Sequence, residues 1–162
     1  MSDKNLLWAP WRGVYVTGKK PEGCVFCKQP EAGNDAAHYI VHRGESIFVM
    51  MNLYPYNNGH LMLIPYRHIS DIIEMTDSET TEMAALLRRS IEVLRRVMSP
   101  EGFNIGYNMG AAAGAGIAAH LHQHIVPRWN GDTNFMPVVA EVKVISEHMD
   151  TTYAKLKAGF EK

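Results

Sequence analysis

Between residues 38 and 65, short apolar stretches alternate with turn-forming clusters. Residues 39–41, 47–51 and 61–64 are apolar, separated by Arg43-Gly44-Glu45 and by Tyr54-Pro55-Tyr56-Asn57-Asn58-Gly59. Runs this short between such turns predict an antiparallel strand meander. From residue 76 the period changes, because Met83, Leu87, Ile91, Leu94 and Met98 recur at steps of three and four. Arg88, Arg89, Glu92, Arg95 and Arg96 lie between them, so the spacing predicts a helix with one apolar stripe over 76–98. Thr76 followed by Glu79 has the form of a capping box, and Ser99-Pro100-Glu101-Gly102 ends the run. Two further strands are predicted at 103–108 and 120–126, on either side of a Gly/Ala loop at 110–119, with Pro127 closing the second. Residues 147–160 read as a last helix. The stretch 18–34, rich in Gly, Pro and charge, reads as an irregular lead-in. The predicted fold is α+β: an antiparallel meander sheet of about five strands with one long helix and a C-terminal helix.

Composition narrows this picture modestly. The chain has 162 residues, 46% hydrophobic and 20% charged, which is ordinary for a globular domain able to bury a core without disulfide staples. Sixteen basic against seventeen acidic side chains leave a formal charge of −1, too little for a broad positive field that would hold nucleic acid or an anionic membrane. A local basic pocket stays compatible with that number. The first seven residues do not have a signal-peptide pattern, and no apolar stretch approaches the roughly 18 residues of a membrane span. These features predict a cytoplasmic protein without nucleic-acid or membrane partners.

The candidate chemistry lies in the histidines. Three of eight fall within five residues, at His120, His122 and His124. On a strand these would share one face, with Leu121, Gln123 and Ile125 on the other. Three titratable rings in a row are costly to bury without partners, so a functional site is the stronger reading. The loop before them, with Gly106, Gly110, Gly114, Gly116 and several alanines, lets a ligand approach main-chain N–H groups. Together the two features suggest chemistry at phosphorus, with an imidazole nucleophile and main-chain donors on phosphate oxygens. A catalytic metal site is the rival reading, weakened by the lack of any acid in the strand or loop. Cys24 and Cys27 have a spacing suited to one tetrahedral zinc, or to a redox pair, and His68 and His120 are candidate further ligands.

His120-Leu121-His122-Gln123-His124-Ile125-Val126 resembles the signature of the histidine triad (HIT) superfamily of nucleotidyl hydrolases and transferases. The resemblance extends to Leu7-Trp8-Ala9-Pro10-Trp11, to residues 52–60, to Pro65-Tyr66-Arg67-His68 and to residues 127–135. It is closest to the bacterial diadenosine tetraphosphate phosphorylase or hydrolase branch, near the Fhit-related group. It implies a single HIT domain over 1–162, with an N-terminal Cys-x-x-Cys segment (1–37), a core (38–135) and a C-terminal extension (136–162). It implies His122 as the nucleophile that attacks an α-phosphorus and forms a nucleotidyl-imidazole, and His124 as a neighbouring donor or proton relay. Asn108 matches a phosphate-binding amide, Gly114 and Gly116 the loop around the α-phosphate, Asn52 a ribose-pocket position and His60 a position near that pocket. Zinc-containing relatives imply a structural zinc on Cys24, Cys27, His68 and His120, and magnesium would enter as a nucleotide complex. The implied activity is cleavage of dinucleoside polyphosphates, with phosphate or water as acceptor; Arg128 and residues 129–135 lean towards the phosphorylase side. A homodimer is implied, with Trp8 and Trp11 closing over a base or over a partner subunit. Two positions depart from the pattern: Gln123 replaces an apolar residue, and Gly116 and Ile117 stand where many relatives carry Gln and then Ser or Thr. The other classes of function are a nucleotide-binding sensor or adaptor and a metal-dependent phosphohydrolase.

Overall fold

Strands β1 (Ile40–Arg43), β2 (Ile47–Met51) and β3 (Leu61–Pro65) run antiparallel to their neighbours, as the apolar stretches predict. The turn between β1 and β2 is held by Glu82, whose carboxylate accepts from the Glu45 and Ser46 amides at 2.6 and 2.7 Å. Gly44 is required there, since a Cβ would lie 2.2 Å from Glu82 Oε1 and 2.7 Å from the Ile47 carbonyl oxygen. Strands β4 (Gly102–Tyr107) and β5 (Gln123–Arg128) form a second antiparallel pair, and β5 joins β3. The order is β1-β2-β3-β5-β4, which leaves β4 at one edge. The computed structural model describes residues 23–132 and 145–162. Trp8, Trp11, residues 18–22 of the lead-in and residues 133–135 lie outside them.

Three α-helices lie among the described residues: α1 (Val25–Glu31), α2 (Asp77–Met98) and α3 (Met149–Phe160). The predicted cap on α2 is present in both halves, with Thr76 accepting from the Glu79 amide and Glu79 accepting from the Thr76 amide. Glu79 also takes two hydrogen bonds from Arg67, at 3.0 and 2.8 Å, and these with the Thr76 bonds hold its carboxyl down at about 2. The helix ends on Ser99 in the left-handed conformation, φ 50°.

The sheet separates two apolar clusters. Ile47, Val49, Met51, Leu61, Leu63 and Ile125 face α2 and α3, where Met83, Leu86, Val93, Leu94, Leu156 and Phe160 close the core. Ile40, Phe48, Met50, Met62 and Ile64 point the other way and pack with Phe26 of α1. The interior strand β2 is buried at every position, which is why its sequence is continuously apolar rather than alternating.

Three expectations change. The α2 stripe is rotated from the one the spacing suggests: Leu86, Ser90 and Val93 are buried, whereas Leu87 and Ile91 are only half buried. Ser90 is small enough to lie under the sheet, so polarity alone misplaced that face. Residues 25–31, read as irregular, are helical; packing of Phe26 and a hydrogen bond from Arg43 to the Pro30 carbonyl hold two turns that propensity would not. Strand β5 begins at Gln123 and continues through Pro127 to Arg128, so His120 and His122 precede it.

Candidate active site and metal centre

The three clustered histidines do not form one row of equivalent rings. His120 turns towards α1, where its Nδ1 lies 3.2 Å from Cys24 Sγ and 3.6 Å from Cys27 Sγ. His68 Nδ1 lies 3.3 Å from Cys27 Sγ. The four ligand atoms are within 4.8 Å of one another. In a tetrahedral zinc site, bonds of about 2.3 Å to sulfur and about 2.1 Å to nitrogen put those atoms roughly 3.6 Å apart, so the cluster has suitable dimensions. The tautomer fits as well. His120 Nε2 is 2.9 Å from the Pro65 carbonyl oxygen, to which only an N–H can donate, leaving the Nδ1 lone pair facing the sulfurs. Burial and the neighbouring Cys24 push the Cys27 thiol up, so a cation is what would favour its thiolate. The residues present therefore fit a metal ion. Its ligands would tie α1 to β5, on a segment with little core of its own.

His122 is buried, and its Nδ1 donates to the His120 carbonyl at 2.8 Å. That bond fixes the tautomer and leaves Nε2 as the free lone pair. Burial holds the ring below the usual imidazole value, so Nε2 is unprotonated at neutral pH. Phe26 packs against it with ring centroids 5.1 Å apart.

The His124 tautomer follows from a fixed donor two steps away. The Tyr56 amide donates to His60 Nδ1 at 3.0 Å, so that nitrogen is an acceptor. Neutral His60 then carries its proton on Nε2, which lies 2.9 Å from His124 Nδ1. His124 consequently presents Nε2–H, and this atom is buried with no hydrogen-bond partner among the described residues. Burial, reinforced by the neighbouring histidines, depresses both rings, His60 to about 3 and His124 to about 4. The relay is neutral at pH 7, with one unused donor at its end.

His122 and His124 line a cavity of about 210 Å³ together with Asn52, Asn108, Gly114 and Gly116. Those expected site residues converge there from β2, β4 and the Gly/Ala loop. The Asn52 Oδ1 already accepts from the Tyr54 amide at 2.8 Å. His60 is placed differently: it is fully buried behind His124 and does not line the cavity. The rest of the wall is Val25, Phe26, Gln29, Met50, Leu53, Tyr54, Tyr56, Met62 and Ile117. The α1 members were missed because that helix was missed; Cys24 and Cys27 were the available signal that the segment is held to the sheet. Arg128 lies away from this wall, paired with Asp132 and hydrogen-bonded to Asn104. Gln123 faces the α2 side with its Oε1 buried and unpartnered. No helix among the described residues is long and apolar enough to cross a membrane.

The chain is similar to several known proteins. An AP-4-A phosphorylase from Mycobacterium tuberculosis is 39% identical over 154 residues, covering 90% of this chain and 79% of that protein. An asymmetrical bis(5′-nucleosyl)-tetraphosphatase of Schizosaccharomyces pombe is 32% identical over 93 residues, covering 57% of this chain and 50% of that one. A Zn-bound histidine triad family protein from Mycobacterium smegmatis superposes with a TM-score of 0.68 at 26% identity, covering 86% of this chain and 94% of that one. The HIT domain matches residues 33–131, and on that match and these relatives the chain belongs to the HIT family.

Proposed function

We propose that the protein is an enzyme that cleaves dinucleoside polyphosphates of the diadenosine tetraphosphate kind by nucleotidyl transfer through His122. One observation carries the reading: a buried imidazole whose Nδ1–H is held by the His120 carbonyl, so that an unprotonated Nε2 is left at a cavity also lined by Asn108, Gly114 and Gly116. In the first step His122 Nε2 attacks the α-phosphorus. A P–N bond forms, the P–O bond to the polyphosphate breaks, and its electrons leave with that oxygen. The Asn108 amide and the main chain at Gly114 and Gly116 hold the phosphate oxygens, and Asn52 lies at the ribose. The His124 Nε2–H donates to the departing or bridging oxygen. In the second step an oxygen of inorganic phosphate or water attacks phosphorus and the P–N bond breaks, restoring His122. The similarity to a phosphorylase over most of the chain favours phosphate as acceptor.

Cys24, Cys27, His68 and His120 would hold zinc in a structural role, fastening α1 against the cavity, while His122 and His124 stay outside the ligand set. That division disfavours a metal-dependent phosphohydrolase. The chain would act as one domain, because Leu156 and Phe160 of α3 belong to the same core cluster as the sheet. Pairing of two copies would use the free edge of β4. Ile105 is 43% exposed there, and Leu87 and Ile91 lie on the same α2 face as Arg95, which covers Phe103.

The test is to incubate the protein with diadenosine tetraphosphate, with and without inorganic phosphate, and identify the products by mass. ADP plus ATP marks phosphorolysis and AMP plus ATP marks hydrolysis. Two molecules of ADP would refute attack at an α-phosphorus. Quenching early should show the protein heavier by one adenylyl group, and His122→Ala should abolish that species.

A further inference from the structure

Gln29 is a polar residue of the cavity wall that the proposed reaction leaves unused. It follows Val25 and Phe26 on α1 at spacings of four and three, so all three share a helix face, and all three line the cavity. Its Oε1 is buried and has no hydrogen-bond partner among the described residues. The same wall carries the apolar side chains of Val25, Phe26, Met50, Leu53 and Met62, with Tyr54 and Tyr56 beside them. Such walls accept the flat faces of a nucleobase and leave its edge to be read by a few placed polar groups.

A buried amide oxygen without a donor is unfavourable, and natural structures keep few of them without a use. Asn52, the other carboxamide near the base of β2, has its oxygen occupied by the Tyr54 amide. On the reading of this cavity as the nucleotide site, we propose that Gln29 is a specificity-determining residue that reads the adenine edge. Its Oε1 accepts from the exocyclic 6-amino group and its Nε2 donates to the adjacent ring nitrogen, the paired pattern that a glutamine offers adenine. The last torsion of a glutamine is broad, so the amide turns towards the base with little strain. The unpaired oxygen of the free protein thereby gains its donor only when a base with an amine arrives. A base lacking that amine still meets the apolar wall but leaves the oxygen unpaired.

The test compares binding of AMP with binding of purine riboside 5′-monophosphate, which differs only by hydrogen in place of the amine, measured by calorimetry without turnover. The wild-type protein should prefer AMP by about tenfold or more, as expected for a site whose polar group is left unpaired by the analogue. Gln29→Leu should bring the two affinities within about twofold, and Gln29→Glu, which keeps the acceptor, should retain most of the preference. Thermal unfolding of each variant verifies that it is folded. An equal preference in Gln29→Leu and wild type, or no preference in wild type, overturns the role of Gln29 while leaving the nucleotide site standing. Failure of the wild type to bind either nucleotide would overturn the nucleotide site itself, and this inference with it.

Discussion

His60 offers the sharpest test of how the site works, because it touches neither the cavity nor the reacting atoms. Its replacement by phenylalanine keeps an aromatic ring packed between Tyr56 and His124, whose centroids lie 4.8 and 5.0 Å from that of His60, and removes both nitrogens. Two partners lose their bonds, the part-buried Tyr56 amide and the buried His124 Nδ1. Leaving a buried group unpaired costs roughly 1–3 kcal/mol and a part-buried one less, so His60→Phe should lose about 2–4 kcal/mol of stability in urea unfolding. The catalytic effect is separable from that loss. Without the His60 Nε2–H donor, nothing holds His124 in the tautomer that presents Nε2–H, and a hydrogen-bond donor aimed at charge developing on the leaving oxygen contributes about 100-fold or more. We expect kcat for diadenosine tetraphosphate to fall by about 10- to 100-fold in folded protein, with a small change in KM. The 4-nitrophenyl ester of AMP has a leaving group that spreads its own charge and gains less from that donor, so its loss should be markedly smaller. His60→Gln, which can accept from Tyr56 and donate to His124, should recover part of the activity. A folded His60→Phe enzyme with kcat within twofold of wild type, or with equal losses on the two substrates, would refute the tautomer argument.

Acid should destabilise the protein through the same pair of rings. Their folded-state pKa values are depressed to about 3 and about 4, so below pH 6.5 the unfolded chain binds protons that the folded one does not. Nothing is lost to them above pH 6.5, and the loss grows as pH falls towards their folded values; at pH 5 the stability lost is roughly 2 kcal/mol apiece. Urea unfolding at pH 7.5 and 5.0 measures this, and no smaller pH effect in His124→Gln would contradict it. The metal and the nucleophile should come apart under mutation. His68→Ala should lose bound zinc by elemental analysis and lower Tm by about 5 °C or more, while His122→Ala should keep the zinc and lose about a thousandfold or more in activity. Ser99→Gly relieves a left-handed backbone that a side chain disfavours, and should raise stability by about 0.5–1 kcal/mol in a thermal melt.

Much of the framework is visible in local pattern. Strands β1 to β3 rest on short apolar runs between strong turn signals, and the α2 cap is legible from Thr76 and Glu79 alone because both partners are three residues apart in the chain. The grouping of Cys24, Cys27, His68 and His120 was also anticipated, by spacing for the cysteines and by family resemblance for the histidines. What failed had one cause: contacts distant in sequence override local preference. Residues 25–31 carry a proline and a cysteine and open on Val25 and Phe26, yet burial of Phe26 makes them a helix. The α2 stripe was misplaced because Ser90, polar by composition, packs at 0% exposure while Leu87 does not.

Local pattern therefore carries the α+β architecture, the Cys24–Cys27 spacing and the concentration of imidazoles at residues 120–124, and family resemblance adds an expected part for each ring. The packed fold gives each ring its surroundings. Three rings two residues apart have the same local description, and their environments diverge through partners 55 to 96 residues away: Pro65 and Cys24 for His120, and His60 for His124. His122 alone is set by a neighbour in sequence, the carbonyl of His120. A tautomer is fixed by whichever donor or acceptor faces the ring, and that is a property of the packed fold, which no periodicity encodes.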